Sequence, residues 1–141
     1  MMNDAQITEL LKKSKNVAVV GASTNPDKSS HKIPAYLLRS GFNIIPVHPK
    51  AEEIFGQRAY PSLQDIPVPV DIVDIFRPEP EIPDIAREAI AINAPVVWVQ
   101  KGLKSQEAAQ IAKDAGVTYF EDVCLGATVK RLGLGPDGDA K

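Results

Sequence analysis

Five short apolar runs punctuate the chain, at residues 17–20, 44–47, 72–76, 96–99 and 117–120. They are rich in valine and isoleucine and lack the alternation of a half-solvated strand, so each predicts a β-strand covered on both faces. Helical spacing fills most of the gaps. Ile33, Leu37 and Leu38 fall on one face of a segment that ends at Gly41, a residue suited to a left-handed cap. Pro34 is expected in the first turn of that helix, which then begins near Ser30. Ile85, Ala89 and Ile92 repeat at helical intervals before Pro95 ends the pattern, and a further helix opens on Ser105 as its cap and closes at Gly116. An amphipathic opening helix packs Leu10 and Leu11 inward, with residues 12–15 as its solvated end. Residues 50–70 read as irregular apart from one helical turn near Ser62.

Strands that alternate with helices imply a parallel sheet joined by right-handed crossovers. The expected fold is α/β, a Rossmann-like three-layer sandwich around a mostly parallel five-stranded sheet. It forms one domain over residues 1–141, of which about 133–141 read as a frayed tail. Ligands of such sheets lie beyond the carboxyl ends of the strands. Those ends are GAST, VHPK, FRPEP, VQKG and EDVC.

Composition acts mainly by exclusion. With 44% hydrophobic and 24% charged residues the chain has the profile of an ordinary globular domain. A formal net charge of −2 argues against a general affinity for nucleic acid, which needs a basic face. No apolar run approaches the roughly 20 residues that span a bilayer, and the opening residues lack a signal peptide's hydrophobic segment. Cys124 is the only cysteine, so no internal disulfide forms. A cytoplasmic location, with no membrane partner, is expected.

The stretch NVAVVGASTNP runs an apolar strand into a glycine turn. Ser23 and Pro26 stand where a dinucleotide fingerprint G-x-G-x-x-G would have its second and third glycines. Gly21 lets the backbone turn tightly beneath a ligand. Ser23, Thr24, Ser29 and Ser30 add hydroxyls, and the N–H groups of the loop, Ala22 included, and of the next helix can meet an anion. The bland alternative is a polar loop that caps a helix. At the second strand end an NAD site would want an acid for the ribose. This chain has His48 and Lys50 instead, which suits a phosphate on the ribose and leaves NADP or coenzyme A.

Phe76 offers a ring face to a base and Arg77 a partner to a phosphate, against the plainer readings of core aromatic and surface arginine. Gln100 and Lys101 face the glycine loop from the fourth strand, whose Trp98 reads as core. His31 has no acid partner in sequence and reads as a polar wall of the site. Cys124 lacks the neighbouring base that a nucleophile requires, and Glu121 and Asp122 are too isolated for a metal site, so no catalytic and no metal residue is assigned.

Taken together, VVGASTNPDKSSHKI, GFNIIPVHPK, FGQRAYPSLQDIP, VDIVDIFRPEPEIP, VVWVQKGL and DVC resemble the CoA-binding family of small bacterial proteins, similar to the nucleotide-binding domain of the succinyl-CoA synthetase alpha subunit. The resemblance covers residues 16–132. It implies that residues 21–24 meet the CoA phosphates and that Lys50 approaches the adenosine 3′-phosphate. Phe76, Arg77 and Val99, Gln100 and Lys101 would line the cleft. This chain departs from the family's frequent VNP at His48 and from a frequent apolar residue at Lys101. The synthetase's second domain, with its phosphorylated histidine, is not expected here, so its ligase activity is not carried over. The expectation is a non-catalytic binder of CoA or acyl-CoA with an unknown protein partner. The alternatives are an NADP-dependent oxidoreductase, for which no Tyr–Lys or His–Asp pair is evident, and an interaction protein with a vestigial site.

Overall fold

The structure, a computed structural model, describes residues 2–136. Its elements are α1 (Asp4–Lys13), β1 (Asn16–Val20), α2 (Ser29–Arg39), β2 (Asn43–Val47), β3 (Glu53–Ile54), β4 (Gln57–Arg58), β5 (Ile72–Ile75), α3 (Ile82–Ala91), β6 (Val96–Val99), α4 (Gln106–Asp114), β7 (Thr118–Phe120) and α5 (Leu125–Arg131). Five strands form one parallel sheet in the order β2-β1-β5-β6-β7. This is the α/β, Rossmann-like, doubly wound arrangement that the alternating pattern predicts.

The period of the strands divides the core in two. Val17, Val19, Ile44, Ile72, Val96 and Trp98 pack beneath Leu10 and Leu11 of α1, Leu37 of α2, and Leu125 and Val129 of α5. Ala18, Val73, Ile75, Val97 and Val99 pack on the other face beneath Ile82, Ile85, Ala86 and Ala89 of α3 and Ala108 of α4. At ~25 cal/mol per Å² of apolar surface, each buried valine, leucine or isoleucine among them stabilises the fold by about 1.5–3 kcal/mol, and each alanine by less. The chain leaves β1 for one face through α2 and leaves β5 for the opposite face through α3. A crevice therefore opens above the carboxyl ends of these adjacent strands.

Three local readings change. Residues 50–70 are not wholly irregular, since Glu53–Ile54 and Gln57–Arg58 form an antiparallel hairpin. Its two turn residues, Phe55 and Gly56, both have positive φ, at 59° and 71°, as a tight turn between right-twisted strands requires. The 3₁₀ turn expected near Ser62 is present over Leu63–Asp65. α5, which has no counterpart in the sequence reading, begins at Cys124 as its N-cap. Pro34 lies well inside α2 rather than in its first turn, because the helix already starts at Ser29. After α5, Leu132 and Leu134 pack against the core, and residues 137–141 of the expected tail lie outside the described residues. No helix among the described residues is long and apolar enough to cross a membrane.

Candidate ligand-binding cleft

Gly21 turns the chain at the end of β1 with φ +91°. A Cβ there would stand 2.8 Å from both the Phe76 carbonyl oxygen and Arg77 Cδ, so the fold itself requires glycine at this point. Beyond it the loop is tied to α2 by an arrangement that depends on Pro34. Proline has no N–H to donate to the carbonyl four residues back. The free Ser30 carbonyl instead accepts from the Ser23 N–H, at 3.1 Å. The His31 ring closes the same loop from behind, donating from Nδ1 to the Ser23 carbonyl at 2.7 Å and packing on Phe55 with ring centroids 4.7 Å apart.

Those bonds decide which groups remain for a ligand. The N–H groups of Gly21, Ser23 and Asn25 are spent on Val47, Ser30 and the Ser23 hydroxyl. The N–H groups of Ala22, Thr24, Ser29 and Ser30 have no acceptor among the described residues. Two of them open α2, where the aligned peptide dipoles also favour an anion.

Two adjoining cavities share Lys28, Ser30, Phe76 and Arg77. The first, of about 530 Å³, is lined by residues 21–24, with Val47, His48, Pro61, Ser62, Leu63 and Ile85 opposite. The second, of about 730 Å³, lies beside Ser29, Ile33, Gln100, Lys101, Leu103 and Cys124. Lys50 lines neither. It is exposed in a third hollow of about 620 Å³, which joins the first through His48, Pro49 and Pro61. Val99 is fully buried in the α3 face of the core and His31 sits behind the loop, so neither lines the two main cavities. Trp98 is core as expected, and its indole N–H donates to the Val123 carbonyl.

His48 has a structural task. Its Nδ1 accepts from the N–H groups of Lys50 at 3.0 Å and Ala51 at 2.9 Å, which holds the turn that presents Lys50. An asparagine oxygen could accept the same two bonds, which accounts for His48 where the resemblance leads one to expect Asn. Arg77 is held by Glu81 in a two-pronged ion pair, with contacts of 3.0 and 2.8 Å. The hydrogen bonds of that pair raise the Arg77 pKa and lower that of Glu81. Both side chains are nearly half exposed, so the pair contributes little stability and Arg77 can be drawn to an anion in the cleft.

Several lining residues escape a reading that looks only at strand ends. Lys28, immediately before α2, had a legible signal in the NPDKSS segment. Glu81, just before α3, and Glu88, on α3, line the first cavity and had none. Burial, and then the nearby Asp84 charge, raise the Glu88 pKa. Cys124 is half-buried rather than enclosed, lines the second cavity and receives the Ala127 N–H on its sulfur. Glu121 and Asp122 serve as acceptors for backbone N–H groups of Ser105 and Gly102, and no group of metal-ligating side chains occurs among the described residues.

Fold and cleft together define a doubly wound α/β protein with its open groove at the topological switch point. The model of the family described as CoA binding domain matches residues 15–130, and the chain belongs to that family. It is 42% identical over 121 residues to the uncharacterized protein YneT of Bacillus subtilis, covering 86% of this chain and 90% of that one. It is 34% identical over 118 residues to acetate–CoA ligase [ADP-forming] II of Archaeoglobus fulgidus, covering 75% of this chain and 18% of the ligase. The chain thus matches about a fifth of that enzyme. Among solved structures, a hypothetical protein from Pyrococcus horikoshii superposes with a TM-score of 0.90 at 35% identity, covering 93% of this chain and 92% of the other. An acetyl-coenzyme A synthetase from Ca. Korarchaeum cryptofilum superposes with a TM-score of 0.72 at 26% identity, over 81% of this chain and 27% of the synthetase.

Proposed function

We propose that this chain binds coenzyme A or an acyl-CoA without chemistry of its own, with the phosphates at residues 21–24 and the start of α2. The observation that carries the reading is the convergence, in a member of the CoA binding domain family, of four uncommitted N–H groups with Lys28 and Arg77 at the switch point. Each charge-assisted contact to a phosphate oxygen is stronger than a neutral hydrogen bond. The two cavities on either side of Phe76 suit a long ligand with a nucleotide end and an extended arm. Lys50, one hollow away, is in reach of a further phosphate on the ribose. The NADP-dependent oxidoreductase reading gains no support from the family match.

Thermal unfolding with CoA, acetyl-CoA, NADP and NAD tests the assignment. A ligand at a hundredfold excess over its Kd, binding only the native state, stabilises by about 2.7 kcal/mol. CoA or acetyl-CoA should raise the melting temperature and NAD should not. A rise with NADP alone would move the protein to the oxidoreductase class.

A further inference from the structure

We propose that Asp74 is a positioning residue that sets the polarity of the second cavity: it holds the Gln100 amide so that Oε1, and not the NH₂ group, is offered to the ligand. Resting on the CoA reading, the inference assigns that oxygen to an amide N–H of the pantetheine arm.

Asp74 is an expensive residue for its place. It sits within β5, between Val19 of β1 and Trp98 of β6 in register, and is fully buried. A carboxyl there is disfavoured unless it is paired. Among the described residues its one hydrogen bond comes from Gln100 Nε2 to Oδ1, at 2.5 Å, and Oδ2 has no partner. None of the in-register neighbours requires an acid, so the pairing with Gln100 is what the residue achieves.

A free glutamine amide can turn over with little change of shape, exchanging a donor for an acceptor. A carboxylate oxygen only accepts, so the NH₂ group must face Asp74. The same holds if the proton rests on Oδ2, because Oδ1 still accepts. A proton on Oδ1 would instead donate to Oε1 and reverse the amide, so the orientation is fixed where Asp74 is ionised. The Gln100 main chain is fixed as well, its N–H donating to the Ile75 carbonyl and its carbonyl accepting from Leu103. Gln100 Oε1 then accepts from no described residue, although the side chain lines the cavity. The surroundings comprise the apolar Ile33, Phe76, Pro78 and Leu103, the hydroxyls of Ser29 and Ser30, and the cations Lys28, Arg77 and Lys101. The cations suit the phosphates, while an acceptor beside apolar side chains suits an N–H donor carried on a largely apolar chain. Secondary amides joined by methylene groups have that chemistry.

The test is calorimetric titration, at mildly alkaline pH, of wild type and Asp74→Asn with CoA and with adenosine 3′-phosphate 5′-diphosphate, the same nucleotide without the arm. Asparagine keeps the size but lets either end of the Gln100 amide face it. CoA affinity should fall roughly five- to tenfold, and that of the armless nucleotide should stay within about twofold. Equal losses for both ligands, or no loss for CoA, overturn the positioning role. A wild-type chain that binds neither ligand overturns the CoA reading itself, and this inference with it. If Asp74→Asn does not fold, the wild type still decides. Its Gln100 side-chain NH₂ signal, identified by its loss in Gln100→Met, should be protected from solvent exchange with and without CoA. Exchange at the rate of a free amide would mean that the NH₂ group faces the cleft, and the inference fails.

Discussion

At the scale of single residues, polar side chains of the cleft are engaged by their neighbours, His48 with the backbone of Lys50 and Ala51 and Arg77 with Glu81. Gly21, Phe76, Arg77 and Gln100 all lie at the cleft, because their distance from a strand end is fixed once the strand is recognised. What each touches was not legible. The His48 ring holding a turn, Glu81 clamping Arg77 and Pro34 releasing the Ser30 carbonyl all depend on angles that spacing does not encode. Lys50 is the residue whose task can be tested most directly. Its backbone is held by His48 but its side chain is exposed, so substitution should leave the fold intact. Lys50→Ala should weaken CoA by about 1–3 kcal/mol if one charge-assisted contact to the 3′-phosphate is lost. Dephospho-CoA, which lacks that phosphate, should be almost unaffected, and the gap between the two ligands should narrow as salt rises. Calorimetry with both ligands isolates the contact as a double-mutant cycle, and equal losses would place Lys50 away from the phosphate.

At the scale of elements, strands were the most legible because they are buried on both faces and therefore almost purely apolar. The β3–β4 hairpin escaped because two-residue strands carry no measurable alternation, leaving only Phe55-Gly56 as a turn signal. α5 escaped because seven residues starting from a cysteine cap show no strong start pattern. The start of α2 was misplaced for a physical reason that bears on function. Proline inside a helix costs roughly 3 kcal/mol relative to alanine, and here its missing N–H frees the carbonyl that tethers Ser23. Pro34→Ala would supply a competing N–H for Ser30. Amide exchange at Ser23 should then speed up by roughly tenfold, corresponding to the loss of about 1.4 kcal/mol of local protection, and CoA affinity should drop in parallel. An unchanged Ser23 exchange rate would show that the tether does not depend on the proline.

At the scale of the whole molecule, the cleft imposes a liability that the rest of the core must offset, and pH exposes it. Burial raises the Asp74 pKa from 3.8 to about 7, against a smaller lowering by the Gln100 hydrogen bond. The folded chain therefore holds this proton more tightly than the unfolded chain does. Between the two values the folded state carries the extra proton, so stability is greatest below about 4 as far as Asp74 is concerned and is lost as pH rises through about 7. Glu88, whose pKa is also raised by burial, acts in the same direction, while the depressed Glu81 and Asp122 act oppositely and only in more acidic solution. Urea midpoints of the wild type should fall between pH 5 and pH 8, and those of Asp74→Asn should fall much less, because its amide does not titrate. Parallel curves would mean that Asp74 carries the same charge in both states across that range. A steeper fall in the wild type would locate the cost of the buried acid at the residue that fixes Gln100, so that above neutrality the molecule surrenders stability to hold the wall of its cleft in one orientation.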